Sequence, residues 1–305
     1  MQPLPSAPST GFPSRFVPSI IKFKRQVRDL CGLQPVIARI GTLELRLATT
    51  KKDIRRAQKL RWRVFFKQGQ ARADTLSQLR RRDICEFDRV CDPLIVVDLA
   101  ARTRFGKLKP RAVGTYRLLR QDVAQANFGF YSATEFDIAP LLRAHSGKRF
   151  LELGRSCVLP EYRSKRTIEL LWRGIWAYAR HHRIDAMFGC ASFDGMDTKA
   201  LEQQLSYLHH FARDEVGWNA RPLPHRFSEM GLLDAGQVDR KRALAALPPL
   251  IKAYLRVGAS FGDGAVIDRQ FSTTDVFVIL PVERIQARYI EHFTVGGEEA
   301  NLLAA

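Results

Sequence analysis

Two opposite charges lie inside an apolar, strand-like run of this chain. Glu152 and Arg155 belong to FLELGRSCV (150–158), which leads into LPEYRSKRT and then the helix-like IELLWRGIWAYARHH. An ionised carboxylate or guanidinium inside an apolar strand is costly unless it is paired or serves a function. A strand followed by a cationic loop and a helix N-terminus is also typical of phosphate binding. We therefore expect the chemistry of the protein at this segment.

The spacing of the two charges predicts a local irregularity. Side chains alternate along a strand, so Glu152 and Arg155 would point to opposite faces of a regular one. Gly154 lies between them, and a glycine inside a strand often marks a β-bulge. One extra residue there would bring both charges to one face and free a backbone N–H for a ligand oxygen. The alternative is a regular strand with Glu152 paired elsewhere.

The loop after this strand concentrates positive charge. Arg163, Lys165 and Arg166 precede Thr167, the expected N-cap of a helix at 167–182. The unpaired N–H groups of a helix start, the helix dipole and three cations together favour a bound phosphate. A solvated basic turn is the alternative, and the sequence alone does not choose between them.

Two further arginines lie in apolar surroundings. Thr50 resembles the N-cap of a helix at 51–68, and the helical period places Arg61 on its inward face together with Phe65. Arg117 lies inside the strand-like run AVGTYRLLR. With Arg155, these residues give three inward positive charges, which suggests a buried ion-pair network lining a pocket.

An acidic cluster precedes a buried strand. The motif EFDRVCD contains Glu86, Asp88 and Asp92. Acids in this position often cap turns, which is the structural interpretation. The functional interpretation is a negative pocket for a substrate that carries an amine.

The order of apolar segments predicts the fold class. Strand-like and helix-like runs favour an α/β fold, a central mixed β-sheet flanked by helices, over a regularly alternating Rossmann arrangement. An extra C-terminal helical region at 198–260 precedes the last strand at 275–282. We expect a Pro-rich basic leader at 1–40, disordered or peripheral, a folded domain at 41–292 and a frayed tail at 293–305.

Charge and cysteine content restrict the partners. A formal net charge of +18 favours an anionic partner such as nucleic acid, an acidic protein or a membrane. The aromatic residues follow core periodicity, whereas a nucleic-acid binder needs them exposed, so we expect no nucleic acid. The five cysteines show no zinc-site spacing, so we predict no metal site and a reducing compartment.

Hydropathy bears on localisation. No segment approaches the roughly 18 apolar residues of a membrane span, so we expect a cytoplasmic protein. The leader contains a basic amphipathic stretch at 20–28. That stretch suggests peripheral contact with the inner face of an anionic membrane, and a disordered arm is the alternative.

Three motifs carry a resemblance to a known family. The stretches ELGRSCVLPEYRSKRTIELLWRGI, FGCASFDG and LIKAYLRVGASFGDGAVIDRQFSTTDVFVILPVERI resemble the L-ornithine Nα-acyltransferases of bacterial ornithine-lipid synthesis, over about residues 43–290. That family is similar to the acyl-homoserine-lactone synthases and to GNAT acyltransferases. The resemblance implies a GNAT-like fold.

The lactone-synthase pattern, laid onto this chain, implies a role for each charged residue. The catalytic residues that it implies are Glu152, Arg155 and Arg117. The implied substrate-binding residues are Arg61, Phe65, Glu86, Asp88 and Asp92. The cationic loop and the helix start, and not this pattern, supply the residues expected for the phosphopantetheine arm of an acyl carrier protein, which are Val158, Arg163, Ser164, Lys165, Arg166 and Thr167.

The resemblance also implies the reaction. A 3-hydroxyacyl group would pass from acyl carrier protein, as its phosphopantetheine thioester, to the α-amino group of L-ornithine. The products would be lyso-ornithine lipid and free carrier, the first step of ornithine-lipid synthesis, with no bound cofactor. Acetyl-CoA enzymes have a glycine-rich pyrophosphate loop, whereas PEYRSKR has no glycine and three cations. This departure favours the single phosphate of a carrier arm, and an acidic carrier suits the basic surface.

Glu152 is the expected base for the attacking amine, directly or through water. Arg155 and Arg117 would hold Glu152 or grip the ornithine carboxylate. A backbone N–H near Cys157 or Val158 would stabilise the oxyanion, and the thioester arm would enter where the strands at 149–158 and 185–193 part. The alternatives are a lactone-synthase-like enzyme, another acyl-carrier or acyl-CoA N-acyltransferase, and a basic nucleic-acid binder.

Overall fold

The structure, a computed structural model, describes residues 32–214, 217–291 and 293. No helix in those ranges is both long and apolar enough to cross a membrane. The strands are β1 (Val36–Ile40), β2 (Leu43–Leu47), β3 (Asp92–Asp98), β4 (Arg111–Arg120), β5 (Phe136–Asp137), β6 (Phe150–Val158), β7 (Ala186–Asp194), β8 (Arg221–Pro222), β9 (Phe227–Ser228), β10 (Ser260–Asp268) and β11 (Thr273–Pro281).

One mixed sheet organises the domain. Its strands lie in the order β1-β2-β3-β4-β6-β7-β11-β10-β9, and β5 pairs with β8 in a small separate sheet. Neighbouring strands are antiparallel except β6 and β7, which are parallel. The mixed α/β prediction is confirmed.

Helices cover both faces of the sheet. They are α1 (Lys51–Arg61), α2 (Thr75–Arg80), α3 (Gln121–Gln125), α4 (Ala139–Ala144), α5 (Lys165–His181), α6 (Glu202–Phe211), α7 (Arg240–Ala246) and α8 (Pro249–Val257). Residues of α5, α6 and α8 share one apolar core with Leu94 and Val96 of β3. The alternate residues Ile95 and Val97 pack with Ile54 of α1. The face covered by α1 holds the charged residues described below and is called the site face.

The two parallel strands separate soon after they meet. β6 pairs with β7 from Phe150 to Glu152, opposite Ala186 to Phe188, and no later pair joins them. Beyond Glu152, β6 continues along β4 and β7 continues along β11. The predicted parting of these strands is confirmed.

A bulge in β6 changes which side chains share a face. Arg117 of β4 pairs with Gly154, but Thr115 pairs with Cys157, so Tyr116 opposes two residues. The predicted bulge is confirmed, although its left-handed residue is Arg155, with φ 50°, and not Gly154. The extra residue brings Arg155 to the face of Glu152, because the Glu152 carboxylate and the Arg155 guanidinium both contact Tyr131.

The ends of two elements differ from the sequence expectations. The expected leader at 1–40 contains β1, which pairs with β2 as the edge of the sheet, so the folded domain begins earlier. Residues 1–31, with the amphipathic stretch at 20–28, lie outside the described residues. The N-cap of α5 is Ser164, whose Oγ accepts the Thr167 N–H, so Thr167 lies in the first turn of the helix.

The C-terminal region also differs in part. Residues 198–260 hold α6, α7 and α8, as expected for a helical insertion, together with the short strands β8 and β9. β10 was missed because its sequence SFGDGAVID contains two glycines and two acids, which weaken strand propensity. Of the expected tail at 293–305, only Phe293 is described, and its ring stacks on Trp172.

The splayed strands generate a stability prediction. A Cβ at Gly189 of β7 would lie 2.2 Å from the Leu153 carbonyl oxygen on β6. Because the β6 backbone cannot move away without a cost in stability, Gly189→Ala should lower the free energy of unfolding by about 2 kcal/mol in urea denaturation. Gly147→Ala is the matched control because no atom lies within 4 Å of its added Cβ. Equal stability of the two variants would contradict the close approach.

Candidate active site

Arg61 anchors a buried ion-pair network on the site face. Its Nε donates to Asp83 Oδ2 at 2.7 Å, and its Nη2 donates to Asp88 Oδ1 at 2.8 Å. The side chain is 1% exposed. Burial alone would lower the pKa of Arg61, but the charges of Asp88 and Asp83 raise it above its usual range. The guanidinium is therefore a fixed cation.

Arg117 and Arg155 extend the network toward β6. Arg117 Nη1 lies 4.0 Å from Asp88 Oδ1, and Arg155 Nε lies 3.9 Å from Asp83 Oδ2. The three inward arginines thus share two carboxylates, and the predicted buried network is confirmed. Arg155 Nε is buried and makes no hydrogen bond, which leaves this group available to a ligand.

Glu152 is held by the turn that covers the site face. Its two carboxylate oxygens accept the backbone N–H groups of Tyr131, at 3.0 Å, and Ser132, at 2.6 Å. The residue is 4% exposed. Burial raises the pKa of Glu152, while the bonds from Ser132 and Tyr131 and the charge of Arg117 oppose that rise. The Ser132 side chain also bonds to the carboxylate, so three of its about four lone-pair sites are filled and one remains for a water molecule or a substrate.

A second acidic cluster was missed by the sequence analysis. Carboxylate oxygens of Glu135, Asp268 and Asp275 all lie within 4.8 Å of one another, and the three residues are buried. Burial, followed by the neighbouring Glu135 carboxylate, raises the pKa of Asp275 to about 7. Asp275 stands before the apolar run VFVILP and after two threonines, so it does not interrupt an apolar pattern as Glu152 does in β6.

Two of the predicted substrate acids lie elsewhere. Glu86 is exposed. Asp92 faces the α5 side of the sheet, where its Oδ2 accepts the Tyr178 hydroxyl at 2.6 Å. The placement of Asp92 follows from strand alternation, since Leu94 and Val96 belong to the core on that side. Asp88 reaches the site face as expected, but it pairs with Arg61. Asp83, the other partner of Arg61, was not predicted.

The aromatic wall of the site combines a predicted and an unpredicted residue. Phe65, in the π-helix Trp62–Gln68 that continues α1, meets Phe271 edge-on at 5.7 Å between ring centroids. The Arg155 guanidinium lies 4.2 Å from the Phe271 ring centroid and 5.2 Å from that of Tyr131. Aromatic faces stabilise a cation in this geometry, so Arg155 is fixed from two sides.

The basic loop lies at the far end of β6. Arg163, Ser164, Lys165 and Arg166 are exposed, whereas Thr167 is buried. Arg163 Nε donates to the Val158 carbonyl at 3.3 Å. Within the described ranges, Arg163, Lys165 and Arg166 have no carboxylate at salt-bridge distance. Three unneutralised cations at the first turn of α5 can attract a phosphate.

Two of the thiols on the site face, Cys157 and Cys190, are poor nucleophiles, while a third, Cys85, accepts a hydrogen bond from Arg117 Nη1 at 2.8 Å. Burial raises the pKa of Cys157 to about 12 and holds that of Cys190 well above its usual range. A neutral thiol attacks slowly because the thiolate is the reactive form. Burial therefore disfavours an acyl intermediate on Cys157 or Cys190, which agrees with direct attack by a substrate amine.

Two curated proteins resemble most of this chain. It is 53% identical over 263 residues to the L-ornithine N(alpha)-acyltransferase of Agrobacterium fabrum (strain C58), which covers 86% of this chain and 88% of that protein. It is 51% identical over 266 residues to the L-ornithine N(alpha)-acyltransferase of Brucella abortus (strain 2308), which covers 87% and 92%.

Other comparisons concern the fold. The family described as acetyltransferase (GNAT) domain matches residues 60–173. Among solved structures, the N-acyl amino acid synthase FeeM from uncultured soil microbes is 10% identical with a TM-score of 0.41, covering 81% of this chain and 93% of that one.

The raised pKa of Asp275 generates a pH prediction. An acid whose pKa is raised by folding stabilises the folded state at low pH and loses that contribution as pH rises through the folded value. The free energy of unfolding of Asp275→Asn minus that of wild type should therefore rise by about 2 kcal/mol from about pH 4 to about pH 8. Urea denaturation across this window measures the difference. Asp122→Asn, at an exposed position of α3, is the control, and a pH-independent difference for Asp275→Asn would contradict the prediction.

Proposed function

The chain belongs to the L-ornithine Nα-acyltransferase family, and on this premise we propose that it transfers a 3-hydroxyacyl group from acyl carrier protein to the α-amino group of L-ornithine. The single observation that carries the proposal is the opening between β6 and β7, which begins at the buried carboxylate of Glu152. An extended thioester arm has the width of a strand, and the gap offers it two unpaired strand edges. The reacting carbonyl would then lie near Glu152.

The chemical step is aminolysis of a thioester. The neutral α-amine attacks the thioester carbonyl, the new C–N bond forms, the C–S bond breaks, and the phosphopantetheine thiol leaves with a proton. An α-ammonium must first lose a proton. Holding amine and thioester in line supplies much of the acceleration. Backbone N–H groups near Cys157 and Val158, just past the bulge, would stabilise the oxyanion.

Glu152 is the proposed base. Burial raises its pKa, which makes the carboxylate a stronger base, and the same burial excludes competing bulk water. The two backbone N–H bonds and the bond from the Ser132 side chain fix its orientation and leave one acceptor site for a bridging water. Arg117 supports the ionised form from the same face, and Arg155, with its unbonded Nε, would grip the ornithine carboxylate.

The donor arm would lie along β6 with its phosphate at the basic loop. Arg163, Lys165 and Arg166 supply charge, and the α5 N-terminus with its Ser164 cap supplies N–H groups. Acyl carrier proteins are acidic, so the net charge of +18 would speed the encounter. The product would be lyso-ornithine lipid. We place the reaction in the cytoplasm, with the leader as the proposed contact to the inner face of the membrane.

Removal of the proposed base should stop the reaction. Glu152→Gln should lower kcat by about 10²- to 10⁴-fold with 3-hydroxyacyl carrier protein and ornithine, because a neutral amide accepts no proton. Glu169→Gln, at an acid of α5 that pairs with Arg173, is the control. The acid limb of the wild-type pH–rate profile should disappear in Glu152→Gln. Near-normal turnover by a folded variant would remove Glu152 as the base.

Reversal of the loop charge should weaken donor use selectively. The double variant Arg163→Glu with Lys165→Glu should raise KM for the acyl carrier thioester by about tenfold or more, because the phosphate and an acidic carrier would meet like charges. Arg104→Glu with Lys107→Glu makes the same charge change at another exposed site. If the two double variants raise KM by the same factor, the loop contributes only general electrostatic steering, which would contradict its role as the phosphate site.

A further inference from the structure

The missed acidic cluster lies on the site face, close to the proposed base. Glu135 follows the 3-10 turn Tyr131–Thr134 that holds Glu152. Asp275 belongs to β11, opposite the exposed Ser192 of β7. Paired residues present their side chains to the same face of a sheet, so Asp275 shares the site face with Ser192 and, two residues earlier on β7, with Cys190.

Two oxygen atoms in this cluster are buried and unpartnered. Oε2 of Glu135 and Oδ1 of Asp275 accept no hydrogen bond, although the residues are 1% and 5% exposed. The ion pair seen at the cluster is with Arg226, whose Nη1 lies 3.9 Å from Glu135 Oε1, the other oxygen of that carboxylate. Buried carboxylates without partners are costly. The cluster is therefore built for a cation that binds there.

Tyr131 connects the acidic cluster to the cationic side of the site. Its hydroxyl donates to Glu135 Oε1 at 3.4 Å, its backbone N–H donates to Glu152, and its ring lies beneath the Arg155 guanidinium. One residue thus touches a cation, the proposed base and an anionic pocket. A ligand that spans this site needs a carboxylate at one end and a cation at the other.

We propose that Glu135, Asp268 and Asp275 form the subsite for the side-chain ammonium of ornithine. This inference rests on the proposed function, since ornithine is the substrate of that reaction. Arg155 would hold the α-carboxylate, Glu152 would face the α-amine, and the δ-ammonium would donate its three N–H groups to the acids. The role expected for Asp88 and Asp92 passes to this cluster.

The geometry favours an ammonium over a divalent metal ion. Oδ1 of Asp268 already accepts the backbone N–H groups of Gln270 and Phe271, at 2.7 and 3.0 Å. Those two bonds fill the lone pairs of Oδ1, so the two unpartnered oxygens and the second oxygen of Asp268 would meet the three donors of an ammonium. Calcium takes six to eight oxygen ligands and magnesium six, which three carboxylates supply poorly.

Substrate selectivity tests the subsite. Norvaline keeps the three side-chain carbons of ornithine but lacks the terminal δ-ammonium, so its binding would leave the acids unpaired. Wild type should prefer ornithine over norvaline by more than about 100-fold in kcat/KM. Asp275→Asn and Glu135→Gln should each lower that ratio by about 30-fold or more, chiefly through a higher KM for ornithine. Asp122→Asn, at an exposed position of α3 outside the site, should leave the ratio unchanged. An unchanged ratio in both cluster variants would overturn the inference.

Calorimetric titration without donor separates the subsite from the reaction. If wild type makes no acyl-ornithine yet binds ornithine over norvaline, and Asp275→Asn abolishes the preference, the proposed function fails and the subsite stands. If wild type acylates ornithine but both cluster variants bind it as wild type does, the subsite fails alone. Stoichiometric Mn²⁺ binding that Asp275→Asn abolishes, with ornithine preference unchanged, would make the cluster a metal site and overturn the proposal.

Discussion

The parting of β6 from β7 is the constraint on which the site depends. The strands share hydrogen bonds only as far as Glu152 and Phe188, after which each follows a different neighbour. The bulge at Arg155 adds a residue where the separation begins. Together these two departures from a regular sheet create a gap, expose strand edges to a ligand, and bring two charged side chains to the same wall.

Charge is segregated along that wall. Arg61, Arg117 and Arg155 share Asp83 and Asp88 at one side, where each charge has a partner. Glu135, Asp268 and Asp275 form the opposite pole, where two oxygens have no partner. A paired network fixes geometry, whereas an unpaired cluster costs stability unless a ligand completes it. The contrast favours a structural and orienting role at the first pole and substrate recognition at the second.

Sequence reasoning succeeded where a charge interrupted a strong local pattern. Glu152, Arg155, Arg117 and Arg61 all stood out against apolar periodicity, and all four reach the site face. It failed where the answer depends on long-range pairing. Asp83 sits in a polar loop whose burial follows only from the position of Arg61.

The acidic pole was missed for the same reason. Glu135 and Asp275 meet across distant segments of the chain, which no local period reveals. The alternation of side chains along β3 decides which face Asp92 points to. A register shift of one residue would turn its side chain to the site face. Helix capping by Ser164 rather than Thr167 moved the loop boundary by less than one turn, an error typical of element ends.

Photo-crosslinking of the donor tests the central claim most directly. A carrier protein loaded with a diazirine-labelled acyl chain would be irradiated with the wild-type protein, and the adducts located by peptide mass spectrometry. The account predicts adducts on 153–158 of β6 and on 189–194 of β7, which face the opening, and their loss on competition with unlabelled acyl carrier protein. Competable adducts confined to the α5 side of the sheet would contradict it.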